Sequence, residues 1–155
     1  MRMSDDDRKN HKALTRYLHY SMPQVLNVPL IVANMKKFGN LSRVKLTHAL
    51  TWGTDPLVVV QNLSTNTCGG IAAANGCFRP DNPDVVELDS ETVSNFETDA
   101  YGAGSDTNTK GQKVFIVGTT FLHELCHWGN FQAGVNEATE AGIAFEVATY
   151  GRNTG

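Results

Sequence analysis

The stretch Val117-Gly118-Thr119-Thr120-Phe121-Leu122-His123-Glu124-Leu125-Cys126-His127-Trp128-Gly129 decides how the rest of the chain is read. It carries one His-Glu-x-x-His pattern inside an apolar run. On a helix, His123 and His127 stand one turn apart and leave the same face. That spacing lets two imidazole nitrogens reach one zinc ion at about 2.0–2.1 Å. Glu124 is then close enough to act on a metal-bound water without being a ligand, which is the chemistry of zinc-dependent peptide hydrolysis. The flanking residues suit a helix. Val114, Val117, Phe121, Leu125 and Trp128 form one apolar stripe, and Ile116, Thr120, His123 and His127 form a second, where the metal would sit. Gly118 is a weak point for a helix, and the run Val114-Phe115-Ile116-Val117 also suits a strand.

Two histidines do not complete a catalytic zinc site, which needs three protein ligands and a water. The position six residues after His127 is Ala133, so a third imidazole there is excluded and a carboxylate is expected. A last helix is expected from about Asn136 to Tyr150, stopped by Gly151. It offers Glu137, Glu140 and Glu146. Its small stripe of Ala141, Ala144 and Ala148 would let it approach the motif helix closely. Glu137 and Glu140 both border that stripe, and an acid in a first helical turn is also favourable by itself. Glu146 falls on another face, suited to a salt bridge or a helix-end contact. For the group that steadies the oxyanion, Tyr150, Tyr101, Arg152 and His48 are the candidates, with Tyr150 placed first. A tyrosine packed in the core is the plainer reading of Tyr150.

The rest of the chain, in order, is expected to be helical from Ser4 to Tyr20, from Leu30 to Phe38 with a stop at Gly39, and from about Ser42 to Leu50. Leu57–Val60 and Val85–Asp89 read as strands, and Ser90–Phe96 as a short helix. The Gly- and Ala-rich run from Gly69 to Phe78 suggests a bulge or a close backbone approach. Either it or Val85–Asp89 is a candidate edge strand for an extended substrate. Ala100–Gln112 reads as a loop before the motif helix, a lid or a plain surface connection. His11, His19 and His48 are read as solvated or packed, because nothing near them supplies ligand spacing. Cys126 is read as a small buried hydrophobe. Cys68 and Cys77 either form a disulfide across a turn, which would indicate an oxidising compartment, or stay as two buried thiols.

At 155 residues, 41% hydrophobic and 19% charged, the chain is expected to be one soluble α+β domain over residues 1–155 and a monomer. The net charge of −3 and the lack of a basic cluster beyond Arg8-Lys9 and Lys36-Lys37 argue against nucleic acid. No apolar run reaches the length of a membrane span. Met1-Arg2-Met3-Ser4 is not followed by the apolar core of a signal peptide, so another delivery route, or a piece cut from a longer chain, is expected.

The two motifs together, His123-Glu124-Leu125-Cys126-His127 and then Asn136-Glu137-Ala138, resemble the gluzincin group of zinc peptidases. That resemblance implies Glu137 as the third ligand. The longer run Glu140-Ala141-Gly142-Ile143-Ala144-Phe145-Glu146, ending Tyr150-Gly151, together with His127-Trp128-Gly129, is similar to bacterial polymorphic-toxin metallopeptidase domains, including ones fused to type VI secretion spike proteins. That likeness implies Glu140 instead. Only nine residues separate His127 from Glu137, which suits the compact toxin domains better and favours Glu140. The resemblance implies a compact zincin-like α+β fold with a small, mostly antiparallel sheet, in which the active-site helix is followed by a closely packed ligand helix. It implies one catalytic Zn2+ held by His123, His127 and Glu140 or Glu137, with Glu124 catalytic. It also implies a C-terminal effector domain that attacks a protein or peptide in the target-cell periplasm after residing in the producer's cytoplasm, with an immunity protein as partner. Two other classes compete: a zinc hydrolase of another amide, such as cell-wall material, and a non-catalytic zinc-binding interaction module.

Overall fold

The computed structural model describes residues 1–99, 102–137 and 140–154. The chain opens with strand β1 (Arg2–Met3) and helices α1 (Asp5–Asn10) and α2 (Lys12–Arg16). A π turn (Tyr17–Ser21) and a 3-10 turn (Met22–Asn27) lead to α3 (Pro29–Gly39) and α4 (Arg43–Leu50). Then come β2 (Leu57–Gln61), β3 (Gly76–Phe78), β4 (Val85–Asp89) and α5 (Ser90–Thr98). The hairpin strands β5 (Ser105–Thr107) and β6 (Lys113–Phe115) precede α6 (Ile116–Gln132) and α7 (Ala141–Tyr150). The α+β class expected from the sequence holds.

Local chemistry accounts for most of the boundaries. Ser4 caps α1 by accepting from the Asp7 amide at 3.2 Å, and Ser42 caps α4 by accepting from Lys45 at 3.3 Å. The single helix expected over 4–20 is broken at His11, whose ψ of 63° leaves the helical region. The stop after α3 is made by Asn40 rather than Gly39, with Asn40 in the left-handed region at φ 52°. The run that suited either helix or strand divides: Lys113–Phe115 pairs with Ser105–Thr107, and the helix begins at Ile116. In its described part, the loop expected before the motif helix is therefore one arm of a hairpin.

The larger sheet has the order β1-β2-β4-β3. It is mixed rather than mostly antiparallel: β1–β2 and β2–β4 are parallel, and only β3–β4 is antiparallel. The reason lies in the connections. A parallel pair needs a long return path, and the helices from α1 to α4 fill the one between β1 and β2. Between β2 and β4 the chain runs out to β3 on the far side and comes back, so β4 is interior and β3 is the edge. Of the two candidate edge strands, Gly76–Phe78 lies at the edge and Val85–Asp89 is interior.

The segment before β3 is tied down three times. Cys68 and Cys77 form a disulfide. Arg79 pairs with the buried carboxylate of Glu87 at 2.6 Å and donates to the carbonyls of Thr67 and Asn66 at 3.0 and 2.9 Å. Asn75 bridges to β4 and α5, its carbonyl accepting from Asp89 N and its side chain from the Thr92 hydroxyl.

Helix α6 runs through the middle of the domain against α3, α5, α7, β3 and β4. Val117, Phe121, Leu122, Leu125 and Cys126 are at most 1% exposed and join the core. The Cys126 thiol packs 3.7 Å from Met35 Sδ, and burial pushes its pKa well up, so it is the small buried hydrophobe expected. Gly118 does not break the helix: it makes room for the Tyr17 hydroxyl, which would lie 2.2 Å from a Cβ there. His11 sits 2.9 Å from Glu97, His19 stacks between Tyr20 and Trp52, and His48 is exposed, so none of the three is near the motif histidines' partners. Among the described residues, no helix is long and apolar enough to cross a membrane.

Candidate metal centre

The second stripe of α6 faces a cleft of about 750 Å³, with Thr120, His123, Glu124 and His127 on its floor. The opposing wall comes from the chain after α6. That chain is not helical until Ala141. Asn136 and Glu137 lie before the helix, and Glu140 is its N-cap, its two oxygens accepting from the amides of Gly142 (3.1 Å) and Ile143 (2.7 Å). The helix expected from Asn136 is therefore shorter, because Glu140 uses its carboxylate to start it.

This places the three acids differently from helical periodicity. Glu140 Oε1 lies against Nε2 of His127 and 3.4 Å from Nε2 of His123. Glu137 turns to the other nitrogen of His127, with Oε2 at 2.8 Å from Nδ1. It is held there by Asn130, whose side-chain amide donates to Glu137 Oε1 at 2.7 Å and to the Phe38 carbonyl at 2.8 Å. Glu146, expected on another face, is buried and points inward: Oε1 is 3.4 Å from His123 Nδ1, and Oε2 accepts from Thr154 N at 3.1 Å. Sequence reasoning passed over this role for Glu146. Its only sequence signal was a charged residue among the apolar positions of a helix.

Each imidazole thus has a carboxylate at Nδ1 and faces Glu140 with Nε2. A carboxylate at Nδ1 holds the proton on that nitrogen and leaves Nε2 as a ligand atom. His123, Glu124 and His127 bring donor atoms within 4.8 Å of one another, and so do His127, Glu137 and Glu140. Two imidazole nitrogens and a carboxylate oxygen are a donor set suited to a catalytic divalent ion.

The charges respond to this crowding. Burial works against a charged His123, but Glu140, Glu146 and Glu124 outweigh it and raise its pKa to about 10. His127 is raised by the same balance of burial against Glu140, Glu124 and Glu137. Burial and the two imidazoles act in opposite senses on Glu140, and the imidazoles hold it well below the carboxylate range. Burial lifts Glu124 to about 6, against the pull of His123 and His127. A metal ion that takes Nε2 of these rings therefore displaces protons as it binds.

The helix packing explains how the rings are pinned. The face of α7 turned inward is Ala141, Gly142, Phe145, Glu146 and Tyr150, while Ala148 is exposed. The close approach comes from Gly142 rather than the alanine stripe: a Cβ there would lie 2.2 Å from His123 Cδ2. The described oxyanion candidates, Tyr150, Arg152 and His48, do not line the cleft. Tyr150 is buried with its ring edge-on to Phe145, its pKa pushed up by burial, and it does not line the cleft. Arg152 reaches toward Asp106 at 3.4 Å, and His48 is exposed on α4. Tyr101 lies outside the described residues.

No similar sequence was found among curated proteins, and no similar fold among solved structures. The family model for metallopeptidase toxin 3 matches residues 7–151, which takes in every element from α2 to α7, the end of α1 and the whole of the His-Glu centre. The chain therefore belongs to the metallopeptidase toxin 3 family.

Proposed function

We propose that this toxin domain is a zinc-dependent endopeptidase whose metal is held by Nε2 of His123, Nε2 of His127 and the carboxylate of Glu140. The observation that carries this reading is that Glu140 Oε1 lies against His127 Nε2 and 3.4 Å from His123 Nε2, with Glu124 Oε1 3.8 Å from the same His123 nitrogen. A bound zinc ion supplies Lewis acidity, polarising the peptide carbonyl and acidifying water. The other steps belong to the chain. Glu124, lifted to about 6 by burial, takes the proton of the attacking water and hands it to the leaving amine. Glu137 and Glu146 hold the two imidazoles by their Nδ1 atoms and keep Nε2 turned inward. Asn130 holds Glu137, and the Thr154 amide holds Glu146.

The test separates ligand from support. Glu140→Asn still caps α7 but is expected to lose stoichiometric zinc, measured by metal analysis after gel filtration. Glu137→Ala is expected to weaken zinc by about 10–100-fold, the usual cost of removing a ligand's hydrogen-bond partner, and to fill at saturating metal. If Glu137→Ala empties the site and Glu140→Asn does not, the ligand assignment is wrong. A wild type that takes up no zinc and cleaves nothing sinks the whole reading.

The site of action is proposed to be the target-cell periplasm, with an immunity protein that covers the cleft in the producer. The Cys68–Cys77 disulfide beside the cleft supports an oxidising compartment. Directed to the periplasm of a test bacterium, the domain is expected to be toxic. Toxicity confined to cytoplasmic expression would overturn that location.

A further inference from the structure

We propose that the cleft selects peptides with a large apolar side chain within two residues of the scissile bond. This rests on the peptidase reading above and adds the class of substrate. Along α6, Thr120, His123, His127 and Phe131 follow one another on the cleft side at three- and four-residue spacing. The step from His127 to Phe131 is about 6 Å along the axis. Strand β3 lies beside this row in the same sense. Gly76 abuts Thr120 and Glu124, where a Cβ would come within 2.6 and 3.0 Å, and the Phe78 ring meets Phe131 with centroids 5.7 Å apart. The two residues from Gly76, at Glu124, to Phe78, at Phe131, span about 6.6 Å of strand. The cleft therefore has a direction, from the Glu124 level to the Phe78–Phe131 level.

Near Thr120 the lining includes Glu146 and Thr154, whose hydroxyl bonds Thr119. The cleft also carries the apolar side chains of Ile71, Phe78, Pro80, Phe131, Val135 and Ile143, with Phe78 against Phe131. Ile71 is 62% exposed, and Phe131 and Val135 are each 43% exposed, so this wall keeps apolar surface in water. What covers it must be continuous with whatever occupies the His-Glu centre, because both belong to one cleft. For a peptidase that occupant is the substrate chain next to its scissile bond. An extended chain places a side chain about 6–7 Å along at every second residue, the same advance that β3 makes from Gly76, beside Glu124, to Phe78, beside Phe131. The carboxylates of Glu137, Glu140 and Glu146 at the centre disfavour acidic residues in the same stretch.

Zinc-loaded protein is to be incubated with a mixture of unstructured random peptides, and the cut sites read by mass spectrometry. Leu, Ile, Met and Phe are expected to be enriched by about 10–100-fold over Ala at one position within two residues of the cut, with Asp and Glu depleted there. In paired peptides differing only as Leu or Ala at that position, Phe131→Ser is expected to lower the Leu-to-Ala ratio of kcat/KM while keeping zinc. Ile71→Ser, on the loop wall, gives the same comparison should Phe131→Ser fail to fold. Cleavage with no apolar enrichment, or both variants keeping the wild-type ratio, overturns the proposal while leaving the peptidase reading in place. Zinc uptake with no peptide cleaved overturns both.

Discussion

Glu124→Ala is expected to lower peptide hydrolysis by about 10³-fold or more, equivalent to about 4 kcal/mol of transition-state stabilisation, with zinc content unchanged. The two halves of this expectation have separate physical grounds. Loss of rate follows from removing the only carboxylate of the centre that is neither engaged at an imidazole Nδ1 nor lying against both Nε2 atoms. Glu124 is 3.8 Å from His123 Nε2, buried at the cleft floor, and lifted to about 6 by that burial. A base with a pKa near neutrality both accepts and returns a proton at neutral pH. Retention of zinc follows from the proposed donor set, since His123, His127 and Glu140 remain. Glu124→Gln tests the same point with the shape conserved. If the Ala variant loses zinc in parallel with activity, Glu124 is a ligand and the assignment of Glu140 must be revisited. If either variant keeps wild-type kcat/KM, Glu124 is not the base.

The second large effect is expected from Gly142→Ala. On helix propensity alone this change favours α7, by less than the roughly 1 kcal/mol of a helix interior because residue 142 lies in the first turn. The tertiary contact predicts the opposite for function. A Cβ on residue 142 would stand 2.2 Å from His123 Cδ2 and 2.3 Å from Nε2, well inside van der Waals contact. The ring is the movable partner, so the fold survives and His123 swings away from Glu140. Zinc affinity is expected to fall by more than about 100-fold, beyond the effect of losing a ligand's hydrogen-bond partner. Competition with a chromogenic chelator measures it, and thermal unfolding without added metal checks the fold. Wild-type zinc affinity in this variant would show that α7 does not press on His123. A lost thermal transition would show that the ring cannot give way.

The motif helix was legible in the sequence because its information is local. The apolar spacing from Val117 to Trp128 buries one face, and the histidines share the other, whatever the rest of the chain does. Leu57–Gln61 and Val85–Asp89 were legible for the same reason, as β-branched runs between turn residues. Sheet direction was not. Whether β2 and β4 run parallel depends on where a long connection crosses, and no short window carries that.

The acids show the same division most sharply. That a carboxylate must complete the centre followed from the sequence, because two histidines are too few and position 133 is Ala. Which carboxylate stands where depends on the path from Gln132 to Ala141. Read as helix, that path gave Glu137 and Glu140 equivalent places and sent Glu146 to another face, while Tyr150 packs in the core as its plainer reading had it. In the folded chain Glu140 caps α7 and faces both Nε2 atoms, Glu137 is drawn to His127 Nδ1 by Asn130, and Glu146 reaches His123 Nδ1 because Gly142 lets the helices close. By itself the sequence determined the helix, its two histidines and the need for an acid, all set by spacing along one element. Only the tertiary structure decided the part each acid takes, because those parts depend on distances between elements that no periodicity encodes.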